Sequence, residues 1–464
     1  MINQNLAFAK SAGRKNALSV CMATIFGLTL HTAHATTFVT NCNDSGLGSL
    51  RASVVAAGQG DTVDMRGLTK DSPGCAQSKI TLTTGDIPVG RDDLFIEGPG
   101  EEFVVSGFNS IYSVEPHRIF THTGYGEFAI RNLSMNEGYA VGTGAAANGG
   151  CISSTGSVYL INVTVALCYA KATSGNSLGG AIYSKGGVYL DHSTIILNHA
   201  DGPVGSTSRG GAIAIFGGGF YSFYSNIAGN SSGAPGRADG RGGAVETSSS
   251  AACLLENTTV SGNHAATVDG GLGLFCTETE IVDSTISGNS APTNGGAYFR
   301  SPKIELYNST VAFNQSTSAS ASPGLRLAIN GGTKGPVMYS VLVSNNAYGP
   351  THLPNDLISP PVVGSNNLIF APASSVPADT LVGKCPLLAP LANNGGVTQT
   401  HALRSRSPAI DVGNNIIALN TDQRGRPFSR ESGPADSQTP HADIGAYELD
   451  RAAIIFSGGF DGCP

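Results

Sequence analysis

The sequence predicts an all-β fold, a right-handed parallel β-helix with a cap at each end. Three observations point there. Glycine pairs recur at Gly149, Gly179, Gly210, Gly242, Gly270 and Gly295, with Pro323-Gly324 in the next place. Each is followed by a β-rich stretch closing 18 to 21 residues after the second glycine, at Cys168, Asn198, Asn230, Asn263, Asn289, Asn314 and Asn345. The interval from that residue to the next pair is loose, 6 to 12 residues. A packed unit joined by a tolerant loop gives one fixed interval and one variable one.

Alignment on the closing residue shows what is packed. Three positions before it stand Leu133 (from an earlier coil closing at Asn136), Val165, Ile195, Ile227, Val260, Ile286, Val311 and Leu342, all aliphatic. Two positions earlier come small hydroxyl residues, Ser193, Ser225, Thr258, Ser284, Ser309 and Ser340. Between them run Thr164, Thr194, Asn226, Thr259, Thr285 and Thr310. Faces alternating with period two mark a strand. Like residues recurring in one direction stack as parallel coils ~4.8 Å apart, and the usual crossover hand makes the coil right-handed. The closing Asn then stacks on Asn and bonds the next coil. The glycine pairs serve a tight bend or close backbone approach.

The chain divides in order. Residues 1–35 read as an export signal: Lys10, Arg14 and Lys15, an apolar run Ala17 to Leu30, and small residues before Thr36, the first mature residue. Residues 36–91 form an N-terminal cap with the first coils, 92–384 the β-helix repeats, 385–450 a C-terminal cap region and 451–464 a tail. No later segment has the ~18 continuous apolar residues of a membrane helix. Loss of the signal takes the net charge from −7 to −10. That balance argues against nucleic acid or an anionic membrane as partner. An exported monomer is expected, extracellular or at a bacterial cell surface and outer membrane.

Nine cysteines become eight once Cys21 leaves with the signal. An even number in an exported chain favours disulfides. Proximity prefers Cys42 with Cys75, Cys151 with Cys168, Cys253 with Cys276 and Cys385 with Cys463, among 105 possible pairings. No zinc-type spacing is present, and no metal or cofactor is expected.

The stretch NCNDSGLGSLRASVVAAGQGDTVDM (Asn41 to Met65) resembles the start of exported bacterial β-helix proteins of CSLREA type, although the hexapeptide itself is missing. In those proteins D-S-G-x-G-S-L-R precedes a short helix and the first strand. The stretches PLLAPLANNGGVTQTHALRSRSPAIDVG, TDQRG and ADIGAYE, within Pro386 to Glu448, closely resemble the choice-of-anchor Q domain family. The glycine-pair units are similar to the repeats of chlamydial polymorphic outer membrane proteins, without their C-terminal barrel. The resemblance implies an exported bacterial β-helix protein and no defined reaction.

Any chemistry belongs on the variable loops between the repeats. The glycine pairs lack the Lys and following helix of a phosphate loop. The stretch DGGLGLF (Asp269 to Phe275) lacks the acidic residue of a calcium repeat and occurs once. Because β-helices host polysaccharide lyases and hydrolases, an acidic cluster with a basic partner is the pattern to seek. The best is Arg237, Asp239, Arg241 and Glu246, with Asp201 and Asp269 on flanking loops. Ordinary turn chemistry explains the same residues. His117, His192, His264 and His401 read as surface or turn residues. Asp411, Asp422, Arg424, Asp443 and Glu448, in the C-terminal motifs, read as ion pairs tying the cap to the last coil. Sequons at Asn132, Asn162, Asn230, Asn257, Asn308 and Asn314 read as ladder and strand residues. Two functions remain open: a non-enzymatic protein that adheres to or binds glycans or surface partners, and a polysaccharide lyase or glycoside hydrolase.

Overall fold

The computed structural model describes residues 34–107, 117–234, 236, 239–248, 251–318, 324–349, 353–432 and 441–450. It is a parallel β-helix. Its strands form a broad sheet of 22, a face of ten, a face of nine and a short sheet of four, nearly all paired in parallel. The coil after Gly179 shows the pattern. Ile182–Ser184 joins the ten-stranded face, Val188–Asp191 and Thr194–Ile196 the broad sheet, and His199–Asp201 the nine-stranded face. Ile182, Val188, Leu190 and Ile195 point inward and are fully buried, as the period-two pattern requires.

The corners explain the punctuation. At the corner before the ten-stranded face, Gly149, Gly179, Gly210 and Gly242 have φ between 58° and 67°. The second glycine is needed for a different reason: a Cβ on Gly180 would collide with the Gly211 carbonyl oxygen of the next coil. From the fifth pair onward the sequence register is one residue off. Val245 pairs with Leu272 and Leu272 with Ala297. Gly270 and Gly295 are therefore second glycines, and the left-handed first position holds Asp269 (φ 62°) and Asn294 (φ 56°). Asp and Asn are the residues that tolerate this conformation.

The closing asparagines form the ladder the pattern predicts. Asn198, Asn230, Asn263, Asn289 and Asn314 are buried, and each donates both its backbone N–H and its side-chain amide to the Oδ1 of the next, at 2.9–3.0 Å. Two members were misplaced by sequence. Asn136 pairs with Ala166, two residues short of the ladder, so Met135 and not Leu133 is the counterpart of Val165. Asn345 is the left-handed residue at the corner (φ 59°), while Asn346 holds the ladder place and Val343, not Leu342, the core place. Ser340 shifts with them, leaving Val341 opposite Ser309. The ladder ends on Asp356, whose Oδ1 accepts from Asn346 N–H and Nδ2.

At the N-terminus a strand, Thr36–Phe38, precedes the helix Leu50–Ala56, where the resemblance placed the helix before the first strand. Thr36–Phe38 pairs with Thr62–Asp64. Ser49 caps the helix through its hydroxyl. Asp44 and Arg51 of the D-S-G-x-G-S-L-R stretch pair at 2.7 Å, with Asp44 accepting from Thr83 and Thr84 and Arg51 reaching the Asp86 carbonyl. Cys42–Cys75, Cys151–Cys168 and Cys253–Cys276 are bonded as proximity suggested. Cys385 is also disulfide-bonded, and Cys463 lies outside the described residues.

The C-terminal segment lies along the flank of the helix. Its partners are the outward polar residues of the second broad-sheet strip: Asn226 Nδ2 donates to Val397 O, Thr259 Oγ1 to Gln399 O, and Thr310 Oγ1 accepts from Ala446 N. Asn257 Nδ2 bridges the carbonyls of Asp422 and Gln423. One ion pair, Arg430 with Asp283, reaches a middle coil, while Arg424–Asp422 and Arg430–Glu448 lie within the segment. Arg430, fully buried, contacts Asp283 at 3.1 Å and Glu448 at 3.5 Å. Arg424 pairs with Asp422 at 2.6 Å and lies between the rings of Phe428 and Tyr447, at 3.8 and 4.0 Å. His401, expected at the surface, is buried between Ser287 Oγ and Ala389 O, and burial lowers its pKa.

Candidate functional site

Of the acidic cluster, Arg237 lies outside the described residues. Asp239 and Arg241 stand at the two ends of the strand Asp239–Arg241 and pair with each other at 2.7 Å. Both are partly exposed, an arrangement with little net energy in water. The pair alone has no catalytic geometry. Asp201 does not join it: it faces Tyr169, whose hydroxyl is 3.4 Å from its Oδ2.

Glu246 and Asp269 do come together. Glu246 sits on the outward side of the strand Val245–Thr247, yet its side chain is buried and the residue only 4% exposed. Its neighbour in the next coil is Gly273. A Cβ there would overlap Glu246 Oε2 and stand 3.1 Å from Asp269 Oδ2, so the missing side chain leaves the space where both carboxyl groups converge. Asp269 accepts from Asn294 Nδ2 at 2.8 Å. Burial raises both carboxyl pKa values, Asp269 to about 7, and Asp269 raises that of Glu246 further. Arg209 and Arg241 act oppositely on Glu246. Arg209 stacks over Phe216 and Arg326 over Tyr298, on either side of the pair. The pair has the proton affinity of a general acid, but both residues are nearly closed to solvent, and a polymer needs an open reacting atom.

A second feature was missed by sequence reasoning. On the first strip of the broad sheet Tyr159, Tyr189 and Tyr221 occupy the same outward register position in successive coils. All are half-buried. Tyr159 and Tyr189 stack at 5.5 Å, and Tyr189 meets Phe223 at 5.4 Å. The Tyr159 hydroxyl bonds Glu127. The register continues through Leu254 to Glu280 and Glu305, so the stripe runs from aromatic to acidic. Spacings of 30 and 32 residues between these tyrosines were legible, had the outward column been aligned as the inward one was.

The acidic end has the donor set of a cation site, Glu278, Glu280 and Glu305. It already holds a cation of its own: Lys303 Nζ contacts Glu278 and lies 3.1 Å from Glu305 Oε2. A depression of about 370 Å³ lies between the flank segment and the last coils. Asn366, Asn414, Asn415, Glu431 and His441 line it, without a nucleophile–base pair. Among the described residues no helix is long and apolar enough to cross a membrane. In the comparisons with known proteins, no family model, no curated protein and no solved structure matches the chain.

Proposed function

We propose that this is an exported protein of the bacterial cell surface or surroundings that binds glycan chains on the outer face of its β-helix without cleaving them. The tyrosine stripe carries the reading. Tyr159, Tyr189 and Tyr221 place one half-buried ring per coil on the outer face, ~4.8 Å apart by the spacing of paired strands. Rings that brace one another are held in place at low entropic cost, which suits the column to pack against successive sugars. Hydroxyl groups and the carboxylates of Glu127, Asp191 and Glu256 border the rings, supplying acceptors for sugar hydroxyls. The export signal and the choice-of-anchor Q resemblance support the location, and the described hydrogen bonds of the flank segment fall on the second broad-sheet strip and the corner before it.

Binding is favoured over cleavage because Glu246 and Asp269, two convergent carboxyl groups with raised pKa values, are closed to a polymer. Affinity electrophoresis of the protein in gels containing neutral and acidic polysaccharides tests the proposal. One polysaccharide should retard it, and Tyr159→Ala/Tyr189→Ala/Tyr221→Ala should lose at least ten-fold in affinity with an unchanged circular dichroism spectrum. Retardation undiminished in that variant, or new reducing ends or unsaturated products from any polysaccharide, would overturn it.

A further inference from the structure

Three residues in two successive coils depart from the repeat, beside Glu246 of the coil before. Asp269 and Asn294 stand where earlier coils have a left-handed glycine, and Gly273 stands opposite Glu246 with no side chain. The departures converge. Glu246 Oε2 occupies the space above Gly273, with Asp269 Oδ2 against the same space. Asn294 Nδ2 bonds the other oxygen of Asp269. Glu246 Oε2 and Asn294 Oδ1 are both buried without a hydrogen-bond partner. A carboxylate oxygen left so costs several kilocalories per mole unless a proton or a cation satisfies it.

We infer that Glu246, Asp269 and Asn294 form a binding site for a divalent cation of calcium type on the ten-stranded face. The donors are all oxygen, two carboxylates and an amide, which is the ligand chemistry of calcium and not of zinc. Exchange of the Asn294 amide oxygen and nitrogen, which leaves the side chain's outline intact, turns its Oδ1 toward Asp269. The surrounding cations do not occupy the site. Arg241 is engaged by Asp239, Arg209 lies over Phe216 and Arg326 over Tyr298. The charged groups facing Glu246 are Asp269, Asp239, Arg209 and Arg241, and those facing Asp269 include Arg241 and Arg326. The remaining coordination positions fall to water or carbonyl oxygens.

The test is calcium titration of the intact protein at pH 8, read by thermal unfolding. The midpoint should climb with each ten-fold increase in calcium. Glu246→Gln removes one charge at constant shape, and Asp269→Gly restores the residue that Gly179, Gly210 and Gly242 use at that corner. Both should fold and lose the calcium response. No calcium response in the wild type at pH 8, or a response that persists in either folded variant, would overturn the site. A wild-type midpoint that climbs equally with sodium chloride of matched ionic strength would overturn it as well, even if neither variant folds.

Discussion

Asn263 donates twice to one atom: its backbone N–H and its Nδ2 both reach Asn289 Oδ1, at 3.0 and 2.9 Å. Its second amide hydrogen goes back to Ile227 O in the preceding coil at 2.9 Å. A single fully buried side chain thus joins three coils, and every polar atom in it is used. Asn263→Ala leaves the Asn230 N–H and Nδ2 without their acceptor. Four lost bonds, with buried donors unsatisfied, should cost about 2–6 kcal/mol. Hydrogen exchange should show the loss first at the amides of Asn230, Asn263 and His264, and unchanged protection there would refute the ladder's energetic role.

The left-handed corners offer a cleaner measurement. Gly262 has φ 62°, and a Cβ placed on it would have no atom within 4 Å. Gly262→Ala therefore isolates the backbone cost, about 1 kcal/mol from left-handed strain. Gly262→Asn should cost less, since Asn tolerates that region and Asn345 already occupies it. Chemical denaturation of both variants should rank them in that order.

Arg430 is the largest of the fully buried side chains and bears a charge. Arg430→Ala leaves Asp283 and Glu448 buried without their counterion, a loss on the order of 3–5 kcal/mol. Limited proteolysis should then cut the segment 386–448 at least ten-fold faster while the coils before Asn226 stay resistant. Equal resistance in variant and wild type would show that the threonine and asparagine bonds suffice to hold the segment.

Stability should depend on pH in an unusual direction. Burial raises the carboxyl pKa values of Asp269 to about 7, Asp356 to about 6, Asp443 to about 6 and Glu448 to about 8. A carboxyl whose folded pKa exceeds its unfolded value near 4 binds more protons when folded. Its contribution is complete below the unfolded pKa and is lost as pH rises through the folded one. In calcium-free buffer the unfolding midpoint should fall from pH 5 to pH 8. A midpoint that rises over that window would place these carboxylates in better-solvated or better-paired surroundings.

Which parts were legible follows from repetition. The inward aliphatic column and the ladder were visible because each coil restates them, and Ile195, Ile227, Val260, Ile286 and Val311 fell in place. The errors came where two residues satisfied the same rule. Asn345 and Asn346 are adjacent asparagines, and only the φ demanded by the corner assigns the second to the ladder. At Gly270 the glycine run outlasted the glycine requirement, hiding Asp269 in a position that looked like loop. Glu246 was singled out, but its partner proved to be Asp269 across a missing side chain, a relation between coils that one coil's sequence does not contain. The flank segment was the least legible. Thr259, Thr285 and Thr310 look like any outward threonines, and the residues that cover them have no period to align.

That segment changes the statistics of the fold. In a stack whose turns touch only their neighbours, opening is a one-dimensional problem, and melting one unit leaves distant ones indifferent. Contacts such as Asn226 with Val397, 171 residues apart, and Arg430 with Asp283 couple units that otherwise communicate only through every turn between them. The middle of the stack is thereby converted from a zipper into a cooperative block, while the turns before Tyr224 remain free to breathe in sequence. Formation of that block also has the largest loop to close, so it should come late in folding, and refolding followed at the 386–448 segment should lag behind that of the coils.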